Sequence, residues 1–383
     1  MTLKDNHRIE RGVFVKNLPT VAICGCGSAG TAMAADLSLM GCKVNLYEFP
    51  DFKEGLDPIR ENGGILLTGN PYSGKTGLAK FNCITSDAEE AINGVELIMI
   101  NAPAMAVDRF VEALSPYLVE GQMILVNTGY WASLRTRNLL KKTGVSEKIV
   151  FAEEHIMPYL SRKLEPAHAH IYNFKRDIRI SAWPATKNNA AHAVVKKIYP
   201  QMAISKHVLE NNFYPGNPSV HAQTTIPKAA FFFERAKEFR FYGEISLCAS
   251  KLMDAFDEEK RRVAAAFGCD VPIHTEWLTR TYGYEGKNRY EIYGNVTNPH
   301  TQRWTNDAGN RRVLREDLCY FFVPMEELAK VVGIETPVTS AIIELLQIFA
   351  DFDYRGNGVT LKELGMEAMD RNQIIDYVTY GNV

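Results

Sequence analysis

The first half of the chain alternates short apolar runs with amphipathic stretches, and the second half keeps only the amphipathic stretches. Residues 19–48, PTVAICGCGSAGTAMAADLSLMGCKVNLYE, predict strand, turn, helix and strand. Val21 and Ile23 mark the first strand, the helix runs from about Ser28 to Met40, Gly41 stops it, and a second strand ends at Glu48. VELIMINAPA (95–104) and GQMILVNTGY (121–130) are apolar runs of the buried parallel-strand kind, each closing in small or polar residues. KIVFAEEHIMPY (148–159), AHIYNF and DIRISAWPA are predicted to extend the same sheet. From about His207, apolar residues recur three and four apart in IPKAAFFFERAKEF, SKLMDAFDEEKRRVAAAFG, DLCYFFVPMEELAKVVG and TSAIIELLQIFADF, as in helices packed together. The FFF run is expected in their core and the DEEKRR run on a solvated helix face.

The turn within 19–48 carries the strongest chemical signal. Gly25-x-Gly27-x-x-Gly30 follows a strand and opens a helix, the context in which such a motif binds a dinucleotide. Gly25 suits the tight turn, Gly27 the approach of backbone to pyrophosphate, and Gly30 close packing of the helix on the sheet. The first helical residues, Ser28 and Ala29, point free N–H groups and the positive end of the helix dipole at the phosphates. Glu48 can accept the adenosine ribose hydroxyls and repel a 2′-phosphate, which favours NAD(H), while Lys53 and Arg60 nearby keep NADP(H) open. The expected architecture is therefore α/β: a Rossmann-type, doubly wound, mostly parallel sheet over residues 1–206, followed by a mainly α-helical domain over 207–383. In such a sheet the carboxyl ends of the strands face the ligand crevice. Asn101, Ala102, Pro103, Asn127, Thr128 and Gly129 become candidate neighbours of cofactor or substrate, a plain loop being the alternative for each.

Composition narrows the class further. With 383 residues, 46% of them hydrophobic, the chain can fill the cores of two domains. A net charge of −2 argues against a nucleic-acid partner held mainly through phosphates. The opening MTLKDNHRIERGVF is too polar for a signal peptide, and no apolar run reaches the length of a membrane span, so a cytoplasmic location is expected. Seven scattered cysteines suggest reduced thiols rather than a disulfide framework. Cys24 and Cys26 flank Gly25 without any other Cys/His pair at ligand spacing, so no metal is expected.

Two segments of the second half could carry chemistry. Asn217-Pro218-Ser219-Val220-His221 lies at the expected domain crossover, where a histidine can face a cleft and act as general acid and base. Arg311-Arg312-Val313-Leu314-Arg315-Glu316-Asp317 precedes another helix, and Asp317 could orient His221 and stabilise its imidazolium. The plainer alternative for Arg312 and Asp317 is a surface salt bridge at a helix start. His155, His168 and His170 also fall near the expected cleft and are given no role.

Taken together, these residues give the chain a marked resemblance to the octopine and nopaline dehydrogenase family of opine dehydrogenases. The glycine turn, Ala102-Pro103-Ala104, Asn127-x-Gly129, Glu154 with Pro158-Tyr159, Asn217-Pro218 with His221, Phe241-Tyr242-x-Glu244, Arg312 with Glu316-Asp317, and DYRGNGVTLKELG follow the family's order. The resemblance implies a Rossmann domain followed by an all-α domain, His221 and Asp317 as proton relay, and Arg312 as anchor of a substrate carboxylate, with Asn217 beside it. It further implies NAD(P)H-dependent reductive condensation of an α-keto acid such as pyruvate with the amino group of an amino acid, and leaves monomer and homodimer both open. This chain departs from the pattern at Val313, at Leu318-Cys319 after the aspartate, and at ISLCAS after Glu244. A 2-hydroxy-acid or ketopantoate-type dehydrogenase reducing a C=O is the alternative within enzymes, although such enzymes commonly put a lysine where His221 stands. A non-catalytic nucleotide sensor is the alternative outside them.

Overall fold

Four strands with no exposed residue form the centre of the main sheet: β1 (Val21–Cys24), β2 (Val44–Tyr47), β6 (Leu97–Ile100) and β7 (Met123–Val126). The computed structural model describes residues 17–145, 147–214, 216–234, 239–242, 244–295 and 308–381. The polar start of the chain, 1–14, and residues 235–238 of the expected helix 226–239 lie outside them. The eight-stranded sheet has the order β12-β11-β8-β7-β6-β1-β2-β5, completed by β5 (Cys83–Thr85), β8 (Val150–Glu154), β11 (Arg179–Ala182) and β12 (Ala203–Ile204). Every pairing is parallel except β8 with β11. Register aligns Cys24 with Tyr47 and with Ile100, and Ile100 with Val126. The residues that follow, Gly25, Glu48, Asn101 and Asn127, therefore emerge side by side along one edge, where strand order reverses about β1 and a ligand crevice opens.

The strand predicted from AHIYNF is real but does not extend this sheet. It is β10 (His168–Phe174), in a second sheet of order β4-β3-β10-β9 with β3 (Ile65–Gly69), β4 (Gly77–Ala79) and β9 (Tyr159–Glu165). Its residues alternate between buried and part-exposed, as a strand does when only one face is covered. The covering element is helix α1 (Ser28–Met40), whose apolar residues surround it on nearly all sides because it is held between the two sheets. Asp36 on α1 is wholly buried. It accepts Tyr72 N at 3.0 Å, Ser73 N at 3.1 Å and the Tyr159 hydroxyl at 2.9 Å, while burial pushes its carboxyl up.

Beyond residue 207 the regular elements among the described residues are helical. The long helix Leu247–Ala266 is central to this part, with Pro337–Ala350, Val323–Val331 and His221–Thr225 against it. Helix Ala308–Asp317 continues through a π-helical stretch, Leu318–Phe322, into Val323–Val331. The IPKAAFFFE segment is a 3-10 turn at Ile226–Lys228 and a π stretch at Ala230–Glu234 rather than a regular α-helix. Pro227 has no N–H to give to a helical ladder. Of the FFF run only Phe232 is wholly buried, and Phe231 is exposed.

Only part of the DEEKRR run is a solvated face, at the exposed Glu258 and Arg262. Asp257, Glu259 and Lys260 are all buried. Glu259 accepts the backbone N–H of Val338 at 2.7 Å and of Thr339 at 2.8 Å, supplying an anion to the free N-terminus of helix Pro337–Ala350. Lys260 pairs with Asp257 at 3.0 Å, and Arg289 pairs with the same carboxylate at 2.9 Å. Burial alone would raise the Asp257 carboxyl, but Lys260 foremost among its neighbours holds it below the usual range. Charge density along a sequence does not reveal whether counter-ions arrive from helices elsewhere, and here they do.

Candidate active site

The glycine turn is built for backbone approach. Gly25 has φ +101° against the carbonyl of Asn101, and a Cβ on Gly30 would overlap the carbonyl oxygen of Gly25. Gly30 is thus required by closure of the turn itself. Gly27, the residue before α1, is exposed and has no atom within 4 Å of where a Cβ would stand, so the space above it is clear. No side chain caps the N–H groups at Ser28 and Ala29, both half-buried. Glu48 accepts Cys26 N at 2.7 Å and Phe49 N at 2.9 Å, which fixes its carboxylate at the rim of the turn. Strand β9 crosses the other rim, where Lys163 donates to Cys26 O at 3.1 Å and its backbone N–H to Ser28 Oγ at 3.3 Å. Sequence reading missed Lys163, because the second sheet that delivers it is a long-range feature. Turn, helix end, carboxylate and lysine match the charge and shape of a dinucleotide pyrophosphate and ribose.

Across the crevice, Ala102 and Pro103 are half-buried and lead into the helix Ala104–Leu114. Ala104 N donates to Glu316 at 2.7 Å, tying this loop to the helix that carries Asp317. Thr128 is half-buried at the end of β7. Two residues on, Tyr130 takes a left-handed conformation with φ +48° and sends its hydroxyl to Asp317 Oδ1 at 2.7 Å. The other carboxylate oxygen meets His221 Nδ1 at 2.9 Å, across 96 positions of sequence. His221 Nε2 lies 2.7 Å from the Tyr242 hydroxyl. Asp317 can only accept, so Nδ1 carries the proton and Nε2 accepts from Tyr242. Burial keeps the Tyr130 and Tyr242 hydroxyls well above their usual range, hence protonated. Behind His221, Lys260 donates to Ser219 Oγ at 3.1 Å, so the buried ionic cluster of the long helix also holds the turn from which the histidine projects.

His221, Tyr242 and the exposed Asn217 open onto one cavity. Its walls are aromatic and aliphatic, with Trp277, Leu278, Tyr282 and Tyr284 on one side and Ile156 and Leu160 on the other. Two cations, Arg162 and the buried Lys175, line the same space. Burial pulls Lys175 down to about 7, against the pull of Glu154, and pushes Glu154, enclosed without a hydrogen-bond partner, well above the carboxylate range. Arg312 is placed elsewhere. It pairs with Glu316 at 3.7 Å and faces a neighbouring cleft together with Arg311 and Arg315. Tyr130, Tyr242, Arg162 and Lys175 were not singled out by sequence reading, although Tyr242 lies in the Phe241-Tyr242-x-Glu244 motif. His155 is a core residue: its Nδ1 accepts Arg179 N at 3.1 Å, and burial pulls it to about 3. His168 and His170 share the Thr68 hydroxyl on the second sheet.

A nucleotide-binding Rossmann domain joined to an α-helical domain, with a buried His/Asp pair where they meet, defines a two-domain NAD(P)-dependent oxidoreductase. Residues 204–350 match the family model described as NAD/NADP octopine/nopaline dehydrogenase, alpha-helical domain. An opine dehydrogenase of Arthrobacter sp. (strain 1C) is 28% identical over 357 residues, covering 91% of this chain and 96% of that protein. A D-nopaline dehydrogenase of Agrobacterium vitis is 23% identical, with 85% of each chain covered. Among solved structures, octopine dehydrogenase in complex with NADH and agmatine superposes with a TM-score of 0.75 over 95% of this chain and 98% of its own, at 17% identity. The chain is thus similar over most of its length to opine dehydrogenases, and its helical half matches the octopine/nopaline dehydrogenase model. Among the described residues, no helix is long and apolar enough to cross a membrane.

Proposed function

We propose that this protein condenses an α-keto acid with the amino group of an amino acid and reduces the resulting imine, acting as a cytoplasmic, NAD(H)-preferring opine dehydrogenase. The observation that carries this reading is the line Asp317–His221–Tyr242 ending in a cavity that holds two cations. Gly25, Gly27, Ser28, Ala29 and Gly30, with Ala102, Pro103 and Thr128 across the crevice, would hold the nicotinamide cofactor, which would supply the hydride for the imine carbon. The protein's residues do the rest. His221, oriented through Nδ1 by Asp317, takes a proton from the α-ammonium group at its Nε2 side, so that the free amine can attack the keto carbon. The same group returns the proton to the departing hydroxyl, which leaves as water, and a second proton, taken from solvent through His221, completes the ammonium of the product. Tyr242, bonded to Nε2, relays these protons between histidine and substrate. Arg162 and Lys175 anchor the carboxylates by charge-assisted hydrogen bonds, a role the resemblance assigned to Arg312. Asn217 lies at the cavity's entrance to contact substrate. Lys163 offsets pyrophosphate charge, and the fixed Glu48 carboxylate disfavours a 2′-phosphate, with Arg60 already bound to Asp57 and to Ile84 O.

Initial rates of NADH and NADPH oxidation with pyruvate, with and without pooled amino acids, test the reading. Oxidation is expected only when keto acid and amine are both present, and faster with NADH. Oxidation with the keto acid alone would establish C=O reduction instead. Tyr242→Phe removes one hydrogen bond and the relay hydroxyl, so kcat is expected to fall about tenfold while the KM for NADH stays unchanged. Single-turnover and steady-state rates on the variant separate the two quantities.

A further inference from the structure

We infer that Tyr130 is a positioning residue for the proton relay, its hydroxyl fixing the Asp317 carboxylate that orients His221. This rests on the proposed relay and adds to it a member from the cofactor-binding half of the chain.

Asp317 is buried, and a carboxylate with a donor on one oxygen only can still turn about its Cβ–Cγ bond. Here each oxygen has its own donor, His221 Nδ1 at 2.9 Å on Oδ2 and the Tyr130 hydroxyl at 2.7 Å on Oδ1. Together the two bonds fix the plane of the carboxylate, and with it the direction in which the imidazole points. The donors come from different halves of the molecule. His221 opens a helix of the second half, while Tyr130 stands two residues beyond Thr128, at the strand end that borders the cofactor crevice.

The turn that aims Tyr130 is strained and clamped. Tyr130 and Trp131 are consecutive left-handed residues with φ +48° and +64°, a conformation that non-glycine residues keep only where their surroundings impose it. Glu153, wholly buried on β8, imposes it here. Its carboxylate accepts Trp131 N and Ser133 N, each at 3.1 Å, and lies so close to Gly129 that a Cβ there would overlap it. Asn212 Oδ1 also accepts Trp131 N at 3.2 Å, and Arg135 Nε donates to Tyr130 O at 3.1 Å. Strain held by so many contacts and ending in one bond to a relay carboxylate marks a residue placed for function. The same guanidinium of Arg135 lies 4.9 Å from the Tyr320 ring centroid, and Ala104 N donates to Glu316 at 2.7 Å. Glu316, Asp317 and Tyr320 thus all meet the cofactor-binding half, and of their partners there Tyr130 is the one that touches the relay. Hydride is delivered from one half and protons from the other, and Tyr130 sets the second source against the first.

The test compares Tyr130→Phe, His221→Ala and the double variant by kcat, KM and NADH dissociation constant, with pyruvate and the pooled amino acids as substrates. Rates are expressed per NADH-binding site, so misfolded protein does not count. Tyr130→Phe keeps the buried ring and removes only the hydroxyl, so kcat is expected to fall about tenfold while the KM values and the NADH dissociation constant stay unchanged. In the His221→Ala background the same change should lower kcat by less than about twofold, because a hydroxyl that acts through Asp317 and the imidazole has nothing left to orient. A kcat for Tyr130→Phe within about twofold of the wild type would overturn the inference, as would a loss of about tenfold in both backgrounds. A loss confined to KM or to NADH affinity would make Tyr130 a support of the crevice wall and overturn it too. The parent reading fails separately: if His221→Ala alone keeps more than about a tenth of wild-type kcat/KM, the relay itself is removed, whatever Tyr130→Phe does.

Discussion

Replacement of His221 by alanine is expected to lower kcat/KM by about 10²–10⁴-fold, the usual contribution of a positioned general acid/base. Cofactor affinity should not change, because the histidine projects from the helical half of the chain and makes no hydrogen bond to the glycine turn. The loss has a distinguishing signature. With His221 gone, Asp317 keeps the Tyr130 hydroxyl, and the link that ran from its carboxylate through the imidazole to the Tyr242 hydroxyl is broken. Fluorescence titration with NADH should give the wild-type dissociation constant while turnover falls. Retention of more than a tenth of wild-type kcat/KM would remove His221 from the proposed chemistry and direct attention to Lys175.

The second large effect concerns the cofactor turn and divides two glycines that the motif treats alike. Gly30→Ala places a methyl group on the carbonyl oxygen of Gly25, with Asn101 on the same side, so the start of α1 must move away from the turn. Overpacking of this kind costs about 1–3 kcal/mol in stability. NADH affinity should fall about 100-fold as the N–H groups of Ser28 and Ala29 lose their alignment. Gly27→Ala meets no protein atom within 4 Å, so its melting temperature should match the wild type while the methyl group blocks the pyrophosphate. Thermal melting and NADH titration of both variants read the two effects apart. Equal melting temperatures for G30A and the wild type would show that the turn yields freely.

Local signals explain what the sequence disclosed. The strands β1, β2, β6 and β7 are buried on both faces and so read as unbroken apolar runs, and the glycine turn has a spacing that few other structures require. His221 and Asp317 drew notice through residue type and position near helix starts, and in the fold they meet at 2.9 Å. Long-range packing explains what the sequence hid. Nothing near His168–Phe174 indicates that this strand leaves the main sheet for a second one covering α1. The DEEKRR run looks solvated until Arg289 and the N-terminus of Pro337–Ala350 are brought to it. Tyr130 reaches Asp317 across 187 positions, and Arg162 and Lys175 enter the cavity on the second sheet and just past its last strand, so none of these has a local signature.

The alternation of side chains along β9 gives this short strand two clients. Leu160 and Arg162 line the cavity beside His221, while Ser161 and Lys163 reach Ser28 and Cys26 at the phosphate turn. Even-numbered positions thus answer to the substrate and odd-numbered ones to the cofactor. Mutations at 160 and 162 can retune which amine is accepted without touching the choice of nucleotide, and changes at 161 and 163 can do the reverse. An insertion or deletion of one residue would exchange the two sets at a stroke, so diversification along this strand is open to substitution and closed to changes in length.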